Sequence, residues 1–359
     1  MQIYNSIYNT FIRIIIAFLP KSKRRKIRDK YLILKKGETT SPYFKHKYYG
    51  KVYYPIYQKS AKQNNDEQEI YNKDGQKMRT FFIRDYVLTS WTKPFISKYY
   101  ICDKFNFGLN VHFYTHTAML EQIGKPDKKY GMFIEPESIM PASYRIFDNN
   151  KGLEKDFDLI FTHTERFLEK FENARLAPLC ANIWHIMQDE NGNLPANWLE
   201  LKNKNASIVS ADKKLCDLHL FRIELAKKCK REHLADTFGT FDGGPLVSID
   251  KTLTNYRYSF AIENQIESYW FTEKILNCFA NMTIPIYLGA TKIDQFFNPN
   301  GIIKISTKDL DNIDKILKNC DEKFYLERIE AIKDNYYRAL KFKCSGDFLY
   351  ENYLEKDLK

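Results

Sequence analysis

The segment Tyr258–Gly289, YSFAIENQIESYWFTEKILNCFANMTIPIYLG, constrains the fold of this 359-residue chain more than any other. Tyr258 to Ile262 and Thr283 to Leu288 are short apolar runs compatible with β-strands. Between them Phe271, Ile275, Leu276 and Phe279 recur at helical spacing, which predicts an amphipathic helix of about ten residues. Thr272 is its expected N-cap, with Glu273 in the first turn. A strand–helix–strand unit of ~30 residues is a βαβ crossover, so its two strands should be parallel neighbours. Ligands of such sheets bind beyond the carboxyl ends of the strands. Glu263, Asn264 and the 265–270 loop fall there. The helix start offers free N–H groups and the positive end of the dipole to a phosphate. Lys274 adds a full charge, and Glu273 can accept hydrogen bonds from hydroxyls. Neither GxGxxG nor GxxxxGK[ST] is present, so neither a dinucleotide fingerprint nor a P-loop explains the unit.

The pattern Glu263-Asn264, six residues, then Phe271-Thr272-Glu273-Lys274, a helix and Ile284-Pro285-Ile286-Tyr287-Leu288-Gly289 resembles the donor-site motif of the α1,3/4-fucosyltransferases, glycosyltransferase family 10. The flanks agree. Phe238-Gly239, Lys251, Leu253 and Tyr256-Arg257-Tyr258-Ser259-Phe260 are similar to the family's lead-in. Asn298-Pro299 and Gly301-Ile302-Ile303 are similar to the stretch that follows. Ile208-Val209-Ser210 and Arg222 match the preceding strand and basic residue. The likeness covers roughly residues 207–310 and touches the N-terminal half only thinly. The family often has a Tyr directly before its Thr-Glu-Lys element. Here Trp270-Phe271 stand there, with Tyr269 one place earlier.

The resemblance implies an α/β fold of GT-B type, two Rossmann-like lobes facing across a cleft. The C-terminal lobe would hold a GDP-sugar. Arg222 and Lys274 would contact the diphosphate, Glu273 the ribose or sugar, and Asn264 the base or sugar side. Glu263, Tyr269, Trp270 and Thr272 complete the expected donor site. A Glu-Lys pair at a helix start, taken alone, is capping and solvation; only the flanking matches give it weight. Transfer from GDP-fucose with inversion needs a carboxylate to take the acceptor hydroxyl's proton. The base should come from Tyr130–Pro141, where apolar Met132 to Ile134 ends in Glu135-Pro136-Glu137. Counting six residues back from Pro141 gives Glu135, and four back gives Glu137; both spacings resemble family members. No metal or other cofactor is implied. By the same resemblance the donor would be GDP-fucose or, given Trp270, another GDP-deoxysugar, and the acceptor would be an oligosaccharide or glycolipid of the lipopolysaccharide type.

The formal net charge of +11 is not spread evenly. Residues 1–36 carry ten Lys or Arg against Asp29 alone, a net +9, which leaves only +2 for the rest. The body therefore lacks the basic stripe of a nucleic-acid-binding protein. In the arm, Ile14 to Leu19 is an unbroken apolar run of six residues after Arg13. A membrane span needs ~20. The charges follow the apolar run and no small-residue cleavage site is visible, unlike a signal peptide. An interfacial helix with a polybasic segment, Lys21 to Arg28, is the expectation. It would hold the protein peripherally on the cytoplasmic face of a membrane.

The organisation that follows is a membrane-associating arm over 1–36, an acceptor-binding lobe over 37–195 and a nucleotide-sugar lobe over 196–359. A connection is expected at Asp189–Leu201 and a loop at Lys62–Asp74. Strand-like runs at Thr80–Ile83, Val111–Tyr114, Gly131–Ile134 and Leu159–Thr162 alternate with helical stretches, an α/β pattern. Helices are expected at Glu165–Ala174 and Glu322–Leu340. The seven cysteines are scattered without CxxC, as for free thiols in a reducing compartment. His112 and His116 sit in an apolar context and are expected in a core or cleft wall. Asp156-Phe157-Asp158 has the DxD form but precedes a strand and is expected as its lead-in.

Overall fold

The computed structural model describes residues 70–71, 75, 77–85, 97–103 and 106–359. The expected membrane arm and most of the Lys62–Asp74 loop lie outside them. Two compact units emerge: one takes the chain up to Phe133 together with Ala142–Phe161, the other Ile134–Pro141 together with Thr162–Lys359.

The first unit is a sheet of β1 (Ile70–Tyr71), β2 (Lys77–Arg84), β3 (Tyr100–Asp103), β4 (Val111–Thr115), β5 (Lys128–Met132) and β6 (Leu159–Thr162). Its order is β1-β2-β4-β5-β6, with β3 also beside β2. All pairings are parallel except β1 with β2. Parallel strands are covered on both faces and so read as near-continuous apolar runs. Here aromatic rings supply much of that cover: Phe81, Phe113, Tyr130, Phe133, Tyr144 and Phe161 are all buried. Helix α1 (Pro141–Asn149) brings Tyr144 and Phe147 onto Phe133. His112 and His116 are buried, as expected; burial pulls their pKa values down to about 3 and about 4. Asp156 closes a 3₁₀ turn, and an Asp158 carboxylate oxygen accepts the Lys129 N–H at 2.8 Å, so the DxD is a lead-in to β6.

In the second unit, α2 (Glu165–Lys170) is shorter than the expected helix. Phe171 is already extended, a turn follows, and Ala174–Leu176 is a short strand, β7. The sheet of this unit comprises β8 (Lys204–Val209), β9 (Asp236–Phe238), β10 (Tyr256–Ile262), β11 (Ile284–Leu288) and β12 (Ile303–Lys304), all parallel, in the order β12-β11-β10-β8-β9. Helices α3 (Asp217–Arg231), α4 (Ile249–Leu253) and α5 (Glu273–Ala280) connect them. Alternation along β10 and β11 sends Tyr258, Phe260, Ile262, Ile284, Ile286 and Leu288 into one core. Ala261 and Tyr287 face the other, against Phe271, Ile275, Leu276 and Phe279 of the α5 region. β10 and β11 are the expected parallel neighbours, in register from Tyr258 opposite Ile284 to Ile262 opposite Leu288.

After β12 come α6 (Ile313–Lys318), α7 (Glu322–Leu326) and α8 (Ile329–Leu340). The single helix expected over Glu322–Leu340 is thus broken at Glu327–Arg328. The Arg328 guanidinium lies 3.3 Å from the Phe324 ring centroid and donates to the Phe324 carbonyl at 3.0 Å. Tyr325, buried before the break, donates to the Met282 carbonyl. The break lets α7 and α8 each meet the core. At the amino ends of the strands, buried Lys202 donates to the Leu253 and Tyr256 carbonyls and to Thr283 Oγ1, each at 3.0 Å. Its three donors are satisfied.

Candidate functional site at the carboxyl ends of the second sheet

The site is built where β10 and β11 end. The Glu263 N–H donates to the Leu288 carbonyl at 2.8 Å, and its fully buried carboxylate turns back under the loop. There it accepts the Thr272 N–H at 2.9 Å and the Thr272 hydroxyl at 2.7 Å. Thr272 is the expected N-cap of α5, its hydroxyl accepting the Lys274 N–H. The Lys274 ammonium donates to Thr272 Oγ1 at 3.0 Å and Glu273 Oε1 at 3.1 Å, and lies 3.4 Å from Glu263 Oε2. Glu263 and Thr272 therefore fix the helix start from below. Glu273 and Lys274 are the members of the group that retain some exposure. Burial raises the Glu263 pKa, and Lys274 partly offsets it. For Lys274 burial lowers the pKa, but Glu273 and Glu263 outweigh it and hold the ammonium charged.

Gly289 exists for this carboxylate: a Cβ there would collide with Glu263 Cγ and the Tyr287 hydroxyl. Gly239, at φ +100°, lies in the left-handed region, and a Cβ would strike the Ser210 carbonyl. Arg222, nearly buried on α3, uses Nη2 to donate to the carbonyl of Ile262, to that of Glu263 at 3.2 Å and to Asn264 Oδ1 at 3.1 Å. It caps the strand end as well as charging the site.

The Ile134–Pro141 segment joins this group. The Ser138 N–H donates to Gln265 Oε1 at 2.7 Å, and the Ser138 hydroxyl to the Asn264 carbonyl at 3.3 Å. Glu135 lies within the fields of Lys274, Glu273 and Lys213. Burial pushes its carboxyl above the usual range, with Lys274 opposing. Cys180 donates its thiol to the Ile134 carbonyl at 3.0 Å, and burial raises its pKa strongly. Glu137 points elsewhere: its side chain is 41% exposed and paired with Arg166, whose Nη2 reaches both carboxylate oxygens at 3.1 Å.

Of the residues expected for donor binding, the structure gathers Arg222, Glu263, Asn264, Thr272, Glu273 and Lys274, with Glu135 beside them. Tyr269 and Trp270 lie apart. The Tyr269 hydroxyl meets Lys292 at 3.4 Å, and Lys292 is paired with Glu165. Trp270 is buried with its ring 4.4 Å from that of His163. His163 in turn lies 3.5 Å from Glu267, whose pKa burial raises to about 7. Sequence reasoning missed His219, Gln265 and Glu267. His219 stands three residues before Arg222 on α3, so helical spacing alone could have placed both on one face. Among the described residues no group of three or more His, Cys, Asp or Glu could hold a metal ion. None of the seven cysteines is in a disulfide.

Residues 200–343 match the family described as glycosyltransferase family 10 (fucosyltransferase) C-term. The chain is similar to the α-(1,3)-fucosyltransferase FucT of Helicobacter pylori, 28% identical over 100 residues, which is 28% of this chain and 17% of that protein. The match thus spans about a sixth of that relative's length. Among solved structures it is similar to an α1,3-fucosyltransferase with GDP: TM-score 0.47, 15% identity, covering 80% of this chain and 93% of that one. The same enzyme type with GDP-fucose aligns at TM-score 0.45 and 14% identity, over 80% and 94% of the two chains. Residues 200–343, the segment that builds the β10–α5 site, are thus similar to the C-terminal part of the glycosyltransferase family 10 (fucosyltransferase) proteins.

Proposed function

We propose that this protein is an inverting glycosyltransferase that moves L-fucose from GDP-fucose to a hydroxyl of a lipopolysaccharide-type glycan, with Glu135 as the base. One observation carries the reading. The loop bearing Glu135 is hydrogen-bonded to Asn264 and Gln265, and the Glu135 carboxylate lies within the electrostatic reach of Lys274 and Glu273. The acceptor oxygen attacks the anomeric carbon as the bond to the diphosphate breaks, and its proton passes to Glu135. Lys274, Arg222 and the start of α5 stabilise the charge that develops on the leaving GDP. Burial raises the Glu135 carboxyl above its usual range, which makes its carboxylate a stronger base than an ordinary one. In this reading the first unit binds the acceptor, and residues 1–36 hold the enzyme on an anionic membrane surface at the cytoplasmic face.

A second reading keeps the mechanism and changes the donor to another GDP-deoxysugar. It is favoured by Trp270 and Tyr269, which turn to His163 and Lys292 and leave the Lys274 group without an aromatic from that pair. Calorimetry and thermal shift against GDP, UDP, CMP and their sugars, without added metal, separate the two. Selective stabilisation by GDP and GDP-fucose supports the first reading. GDP binding without GDP-fucose binding supports the second, and indifference to every nucleotide sinks both.

A further inference from the structure

His219 is an internal α3 residue, buried, and bonded through both ring nitrogens. The Leu215 N–H donates to its Nδ1 at 3.1 Å. A backbone N–H can only donate, so Nδ1 carries no proton and the ring proton resides on Nε2. Nε2 lies 3.0 Å from Asn264 Oδ1 and therefore donates to it. The same oxygen accepts from Arg222 Nη2 at 3.1 Å. Arginine has no acceptor, so the atom facing it must be the amide oxygen, and the Asn264 orientation follows from chemistry. That leaves Asn264 Nδ2 with no hydrogen-bond partner among the described residues, at the carboxyl end of β10 beside Glu263 and the α5 start.

We propose that His219 is a positioning residue that locks the Asn264 amide so that its NH₂ is presented to an oxygen of the bound nucleoside diphosphate. The ligand half of this inference rests on the donor reading above; the positioning half does not. Groups facing His219 are cationic: Arg222 on its own helix, Lys213 from the preceding loop and Lys274 from α5, the latter two acting at longer range. The carboxylates Glu263 and Glu273 face Arg222 and Lys274 and do not touch the ring. Burial and these cations lower the His219 pKa, in the same direction as the neutral ring that the Leu215 bond requires. A second proton would go to Nδ1, break the Leu215 bond and put a fourth cation in the group. The lock should therefore weaken as pH falls below the ordinary histidine range.

The test uses the full chain and GDP as the probe. Gln at 219 can replace the Nε2 donor; Asn can replace only the Nδ1 acceptor. H219N should raise the GDP Kd and the donor KM about tenfold, the loss of one hydrogen bond, with a smaller change in kcat. H219Q should stay within about threefold of wild type and lose the acid weakening of GDP binding. Wild-type affinity in H219N, or an acid limb unchanged in H219Q, overturns the proposal. Failure of the wild type to bind GDP sinks the donor reading, and the lock is then read without ligand. Selective ¹⁵N-histidine spectra should show the Nε2–H tautomer, and the Asn264 amide resonances should move in H219N and stay in H219Q. An Nδ1–H tautomer, or Asn264 signals unmoved in H219N, overturns the lock.

Discussion

At the scale of single residues, environment separates carboxylates that the sequence leaves equivalent. Glu135 and Glu137 are two positions apart, yet one is half-buried within the field of Lys274 and the other is a surface partner of Arg166. E135Q should lower kcat by ~10²–10⁴-fold, the usual value of a general base, while GDP affinity changes little; E137Q should keep near-full turnover. Steady-state rates and GDP calorimetry on both variants decide, and a dead E137Q with an active E135Q reverses the assignment. Because burial raises Glu135, turnover should fall on acidification at a pH above the 4.5 of a free carboxyl. Glu267 gives a stability prediction. Its folded pKa of about 7 exceeds the 4.5 of the free group, so its contribution is complete below pH 4.5 and lost as pH rises through 7. E267Q should therefore raise the Tm at pH 8 and leave it unchanged at pH 4. An upper bound is about 3 kcal/mol. A pH-independent effect on melting would show that ionisation of Glu267 does not load the fold.

At the scale of elements, β10, α5 and β11 were legible because their apolar periods are unambiguous and Thr272 caps the helix between them. The break after α7 was not legible. No Pro or Gly marks it, and it depends on Arg328 stacking on Phe324 and on Tyr325 reaching Met282, contacts remote from local propensity. The buried Lys202 was equally invisible, since its acceptors come from three later parts of the chain. G289A tests the tightest element contact: the added methyl must displace the Glu263 carboxylate. Loss of several degrees in Tm together with weakened GDP binding is expected, within the 1–3 kcal/mol of overpacking. Full GDP affinity in G289A would mean that Glu263 does not support the α5 start. I275A, at a fully buried α5 position, should cost about 2–5 kcal/mol in denaturant unfolding.

At the scale of the whole molecule, the net charge is concentrated at the start of the sequence. Residues 1–36 hold a net +9 and the remainder +2. Deleting 1–36 should abolish sedimentation with phosphatidylserine vesicles at low salt and leave donor binding intact. Retention of vesicle binding by the shortened chain would place the membrane contact in the body. Among the described residues no helix is long and apolar enough to cross a membrane.

Sequence alone determined the α/β class, the βαβ crossover, the capped start of α5 and the Glu273-Lys274 pair, because each rests on neighbours within about one helical turn or one strand. Only the tertiary structure decided which carboxylate of the 134–141 segment lies in the field of Lys274. It also decided that Glu263 and Thr272 hold the loop from beneath, and that His219 fixes Asn264. The Glu263–Thr272 contact closes a nine-residue loop, whereas the others depend on groups brought together across 40 to more than 120 residues of chain, as in His219–Asn264 and Ser138–Gln265. Their geometry is set by packing, which no local pattern of residues encodes.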